Sequence, residues 1–177
     1  MKNRARSSPR TIMGIDPGSI ALGYGLISTD GRDAVYITSG VVSPPAASPL
    51  SQRLKCIYHA LVEVVREHRP DDIVVEKIFF AKGAKAALSL GHARGIVLLA
   101  AASENVPIHE CSALQVKKAV VGYGRAEKSQ VQEMVKLILK IRGTLYPDSA
   151  DALALALCHM NAIKFNETLR GQGPVAV

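Results

Sequence analysis

Apolar positions along the chain change their period several times, and each change marks a predicted element. Thr11 to Ile15 is a short apolar run broken by Asp16-Pro17-Gly18. Ala21 to Ser28 resumes it with interspersed glycines, so the two segments predict a β-hairpin. Asp30-Gly31 suits a second tight turn, after which Val35, Ile37 and the Val41-Val42 pair predict a third antiparallel strand. The proline-rich stretch Ser43 to Pro49 is a loop. Beyond it Leu50, Leu54, Ile57, Leu61 and Val65 recur at helical spacing until Arg69-Pro70, which predicts an amphipathic helix.

Ile73-Val74-Val75, within Asp72 to Glu76, is the continuous apolar run of a strand buried on both faces, central and parallel to the first. Ala84 to Ser103 predicts a helix in which Gly91 and Gly95 share one side. Each glycine costs such a helix about 1 kcal/mol, so close approach of another element, the sheet or a second subunit, is expected there. Val106 to Glu110 is a short strand, and Ser112 caps a brief helix carrying Lys117. Gly122-Tyr123-Gly124 interrupts before a helix from about Glu127 to Lys140. Pro147 introduces a last helix, Asp148 to about Ile163, with acids at the positive end of its dipole. This order predicts one α/β domain with a mixed five-stranded sheet and helices on both faces.

A chain of 177 residues with 48% hydrophobic composition buries enough surface for one core without disulfides, which excludes a disordered protein. The net charge of +7 points to a polyanionic partner, but Lys2, Arg4, Arg6 and Arg10 supply four of those charges, leaving 18 basic against 15 acidic residues. Phe79 to Lys128 nevertheless holds seven Lys or Arg against three Glu, a distribution compatible with a phosphate-binding face or with a solvated basic surface. Residues 1–10 read as a flexible basic extension, 11–165 as the folded domain and 166–177 as a disordered tail. Cys56, Cys111 and Cys158 are widely spaced and read as reduced core residues of a cytoplasmic protein. His159, on an apolar helix, reads as a packed or hydrogen-bonded side chain. No run approaches the ~20 apolar residues of a membrane span, and the basic start lacks the apolar core of a secretory signal.

The candidate chemistry is acidic. Asp16 and Glu76 each close a predicted strand, and neighbouring strands would bring them to one edge. Asp148 and Asp151, three residues apart, share one face of a helix's first turn. Taken singly, each acid is a turn, an ion pair or a solvated helix start. Brought together they repel, by about 4 kcal/mol for two charges 4 Å apart at an effective dielectric near 20, so a cation is required. Hard oxygen ligands suit magnesium or manganese, and two such ions would clamp the attacking and leaving oxygens of a phosphoryl displacement.

Five strings then resemble the RuvC family of Holliday-junction resolvases: GIDPG at Gly14 to Gly18, VEKIFFAK at Val75 to Lys82, LGHARG at Leu90 to Gly95, QVKKAVVGYGRAEKSQV at Gln115 to Val131, and PDSADALALALCH at Pro147 to His159. They run in family order and span nearly the whole body of the chain. The resemblance implies an RNase H-like fold, a homodimer, a branch-migration helicase partner, and metal-dependent paired nicking of a four-way DNA junction. It places Asp16, Glu76, Asp148 and Asp151 at the four metal-binding acids, with two ions per site. Phe79 falls where the family stacks an aromatic ring on a base near the crossover. Lys117 and Lys128 fall at basic positions near the cut phosphodiester, and Lys82, Lys118 and Arg125 join them as DNA contacts. Met1 to Pro9 and Asn166 to Val177 match nothing in the pattern. Two other classes compete. An actin-like phosphotransferase would need a second domain and has no task for the acid pair on the last helix. The other is a non-cutting nucleic-acid module that keeps the fold, which the intact acids argue against, or a related RNase H-like nuclease acting on RNA.

Overall fold

Two alternating stripes on the central strands divide the molecule into two cores. The computed structural model describes residues 9–30, 32–77 and 83–171, apart from the side chains at 85, 86 and 167–171. Five strands form one sheet: β1 (Arg10–Asp16), β2 (Leu22–Thr29), β3 (Ala34–Val42), β4 (Asp72–Glu76) and β5 (Ile108–Cys111), in the order β3-β2-β1-β4-β5. The first three are antiparallel, whereas β1–β4 and β4–β5 are parallel, so the sheet is mixed as expected. Met13, Ile15, Ile73 and Val75 point to the face covered by α1 (Leu50–His68) and α2 (Ala84–Ser103). Ile12 and Val74 point to the other, beneath α3 (Ala113–Val121), α4 (Lys128–Ile138) and α5 (Pro147–Gly171).

Local chemistry explains the boundaries. α1 buries Ile57, Leu61, Val62 and Val65 and stops at Arg69, whose φ of 45° ends the helix ahead of Pro70. The Ser112 side chain accepts from the Gln115 N–H, and the Gln115 side chain accepts from the Ser112 N–H, a reciprocal cap that starts α3. Gly122, at φ 93°, ends that helix in a conformation a side chain would strain.

Ala152 to Met160 of α5 are all buried, so this stretch is apolar on every side but for His159, whereas Ala162, Lys164, Phe165 and Asn166 beyond it are exposed. The helix lies unusually close to the sheet. A Cβ at Gly14 would stand 1.8 Å from the Ala152 carbonyl oxygen, and one at Gly23 2.1 Å from that of Asp148. Glycine at these two strand positions is therefore what lets the helix descend onto β1 and β2.

Four expectations are corrected. Nothing among the described residues comes within 4 Å of a Cβ at Gly91 or Gly95, so the sheet is not what these glycines accommodate. Cys56 is exposed on α1 rather than in the core, although all three cysteines are free as expected. Arg10, read as part of the extension, opens β1 and pairs with Thr29. The last helix continues past Ile163 to Gly171, since no glycine or proline interrupts the segment before that residue.

Candidate active site

Strand parity decides where the first two acids go. Asp16 follows Ile12 and Gly14 at two-residue spacing, and Glu76 follows Val74, so both side chains leave the sheet on the α5 face. The strands are parallel neighbours with Ile15 opposite Val75, which brings Asp16 and Glu76 out side by side at their carboxyl ends. α5 crosses above them, held down over Gly14 and Gly23, and its first turns carry Asp148 and Asp151. Carboxylate oxygens of Asp16, Asp148 and Asp151 all lie within 4.8 Å of one another. Glu76 is more exposed and stands outside that tight triad, yet it lines the same cleft of about 280 Å³ as Asp16 and Asp151.

Lys117 from α3 and Lys128 from the start of α4 add two cations to the lining, which also includes the apolar Val116, Val131 and Leu155. Lys128 Nζ sits 2.5 Å from Asp151 Oδ2. That hydrogen bond raises the Lys128 pKa above the usual lysine value, with further help from the charges of Asp16 and Asp148. One ammonium does not neutralise four acids. Burial, followed by the charge of Asp151, pushes the Asp16 carboxyl from 3.8 up to about 7, against the pull of Lys128. Glu76 is raised as well, first by burial and then by Asp151. A cleft in which burial, and after it the charge of Asp151, raises the proton affinity of Asp16 and Glu76, and whose donors are hard oxygens, fits a divalent cation.

The chain is similar throughout its body to known junction nucleases. The family model described as crossover junction endodeoxyribonuclease RuvC matches residues 12–159. The chain belongs to the RuvC family. RuvC of Geobacter sp. strain M21 is 43% identical over 160 residues, covering 90% of this chain and 98% of that one. RuvC of Syntrophotalea carbinolica is 44% identical over 158 residues, covering 89% and 98%. The structure of Thermus thermophilus RuvC in complex with Holliday junction substrate superposes with a TM-score of 0.84 at 34% identity, covering 89% of this chain and 96% of that one, and the two share the RNase H-like fold. The yeast mitochondrial Holliday junction resolvase, 14% identical with a TM-score of 0.61, covers 90% of this chain and 83% of its own and shares the fold alone.

Of the site residues anticipated for a RuvC protein, the structure brings Asp16, Glu76, Asp148, Asp151, Lys117 and Lys128 to one place. It does not bring Lys118 and Arg125 into the cleft; both are exposed, on α3 and on the α3–α4 connection. Phe79 and Lys82 lie outside the described residues. His159 is remote from the acids, stacked on His109 at 4.1 Å and 3.5 Å from the buried Asp72 carboxylate at the opening of β4. Sequence reasoning assigns no role to Arg94, whose Nη1 donates to the Glu76 main-chain carbonyl at 2.8 Å. Its signal is present, as a cation in the middle of an Ala/Gly/Leu-rich helix, but the carbonyl it serves is 18 residues away.

Proposed function

We propose that this RuvC-family chain resolves four-way DNA junctions in recombination and repair by metal-dependent nicking, and that Asp16, Glu76, Asp148 and Asp151 hold the metal. The observation that carries the reading is the convergence of three carboxylates within 4.8 Å, with Glu76 and two lysines lining the same cleft. A divalent ion bound there, magnesium or manganese and two per site in the fullest form, supplies the positive charge that generates a nucleophile from water and stabilises the phosphate in the transition state. The protein's own groups do the positioning. Lys128 offsets part of the carboxylate charge and, at 2.5 Å from Asp151, is placed to move onto a phosphate oxygen when DNA and metal arrive. Lys117, which lines the same cleft from α3, would contact the same phosphate. Phe79 supplies a ring to stack on an unpaired base, and Lys82, Lys118 and Arg125 extend the backbone contact outward.

The chain works as a homodimer in this reading, because nicks in two strands need two sites related by a two-fold axis. The outer side of α2 supports that assembly: Leu88, Leu98 and Leu99 are 63%, 42% and 54% exposed, beside the uncovered Gly91 and Gly95. The nuclease domain runs from Arg10 at the start of β1 to Gly171 at the end of α5, a branch-migration helicase hands over the junction, and the reduced cysteines suit the cytoplasm. Among the described residues no helix is long and apolar enough to cross a membrane.

The test is incubation with a synthetic four-way junction, a linear duplex and an RNA–DNA hybrid, each with magnesium and with manganese. Symmetric nicks confined to the junction, absent in Asp16→Asn and Asp148→Asn while metal-free junction binding persists, are expected. Cleavage of the hybrid with none of the junction would overturn the substrate, and full activity in either variant would overturn the site.

A further inference from the structure

Three of the four acids are half-buried, but Glu76 is exposed, and a glutamate has three rotatable side-chain bonds. Its placement therefore depends on where the end of β4 is held. That end lies at the limit of the parallel ladder: Glu76 is opposite Cys111 in the last registered pair, and the following N–H, of Lys77, donates to the Cys111 carbonyl at 2.9 Å. The Glu76 carbonyl is taken from outside the sheet, by Arg94 Nη1 of α2 at 2.8 Å. The other arm of the same guanidinium, Nη2, pairs with the Glu110 carboxylate on β5. The Arg94 side chain is only 12% exposed, so this contact is fixed by packing.

A planar fork held at both arms has little freedom, unlike a lysine ammonium. Because the peptide unit is itself planar, anchoring the Glu76 carbonyl sets the plane between Glu76 and Lys77, and with it the direction in which the Glu76 side chain leaves. We propose that Arg94 is a positioning residue for the metal ligand Glu76, acting through the main-chain carbonyl, and that it sets the affinity for the divalent ion without setting the affinity for DNA. The inference rests on the assignment of Glu76 to the metal site made above. Charge is a separate matter: partial desolvation of the carboxyl group, then Asp151 and Lys128, move the proton affinity of the Glu76 side chain, whereas Arg94 meets the main-chain carbonyl.

The experiment compares the full chain with R94A, R94K and E110Q. Without metal, amide hydrogen exchange is followed at Lys77, with thermal midpoints and junction binding in parallel. Mn²⁺ binding is then measured by electron paramagnetic resonance without DNA, and junction cleavage is titrated with Mg²⁺. R94A is expected to speed exchange at Lys77, to weaken Mn²⁺ binding and raise the half-saturating Mg²⁺ by about 10- to 100-fold, as for other outer-shell partners of metal ligands, and to leave metal-free junction binding unchanged. R94K keeps the charge but loses the fork, so it should fall between R94A and wild type. E110Q leaves the carbonyl contact and should stay close to wild type. Wild-type Mn²⁺ affinity in folded R94A or R94K overturns the proposal. So does a variant that loses junction binding and thermal stability in step with metal affinity, since that is a general structural role. Should R94A not fold, R94K and E110Q carry the comparison. If the wild-type chain itself binds no Mn²⁺ and cuts no junction, the metal-site assignment fails, while the Lys77 exchange still reports on Arg94.

Discussion

Replacing Asp16 by asparagine should stabilise the metal-free protein above neutral pH while abolishing its cutting. Burial, then Asp151, with smaller contributions from Asp148 and Glu76 and with Lys128 opposing, carries this carboxyl from 3.8 to about 7 in the folded chain. The folded value lies above the unfolded one, so the native state holds the proton more tightly across that window. Raising the pH from about 4 to about 7 therefore removes stability, and above about 7 the whole penalty is present. Three powers of ten in proton affinity correspond to ~4 kcal/mol at ~1.4 kcal/mol each. Part of Asp16 faces solvent, and screening there brings the expected gain from asparagine to roughly 2–4 kcal/mol. For a domain of this size that is about 4–16 °C in the thermal midpoint. Melts in a chelator at about pH 8 and about pH 4 test this, since the difference should be present at the first and nearly gone at the second. Adding magnesium at the higher pH should raise the wild-type midpoint towards that of the variant and leave the variant where it was. An asparagine variant no more stable than wild type at the higher pH, or equally more stable at both, would refute the account of the site as four acids short of a cation.

Three further outcomes follow from the geometry. Gly14→Ala puts a methyl group 1.8 Å from the Ala152 carbonyl oxygen, so it should cost ~3 kcal/mol in chemical denaturation and lower cleavage further, because Asp148 and Asp151 ride on the displaced helix. Lys128→Met removes a charge that lowers the proton affinity of Asp16; carboxyl NMR of the metal-free variant should show Asp16 titrating above about 7, and junction cleavage should fall about 100-fold or more. Burial and the neighbouring His109 hold His159 below the usual histidine value, against the pull of Asp72, with Arg10 adding to the depression. Here the folded value is the lower one, so the unfolded chain binds the proton first and stability is lost as the pH falls below about 6.5. In His159→Gln that acid-side loss, read from urea midpoints between neutral and mildly acidic pH, should flatten.

Much of this was legible because short-range physics sets it. The hairpin, the buried Ile73-Val74-Val75 strand, the cap at Ser112 and the stop at Arg69-Pro70 each follow from period, turn chemistry or a missing N–H within a few residues. The four acids were legible for the same reason, Asp16 and Glu76 each closing a strand and Asp148 and Asp151 sharing the start of one helix. What stayed hidden depends on elements distant in sequence. Gly91 and Gly95 look like contact residues within the helix and meet nothing among the described residues. Gly14 and Gly23 look like ordinary strand glycines, yet they decide how near α5 comes to the sheet.

The sequence by itself therefore determined the elements, their order, and which carboxylates stand at the ends of strands and helix. Only the tertiary structure decided that Asp16, Asp148 and Asp151 form a tight triad, that Glu76 stands apart from it on an exposed strand end, and that Arg94 holds that end in place. The division has one physical cause. Periodicity and capping act over a turn or a strand, whereas mutual repulsion, burial and a hydrogen bond to a carbonyl exist only once separate elements have packed to within a few ångströms.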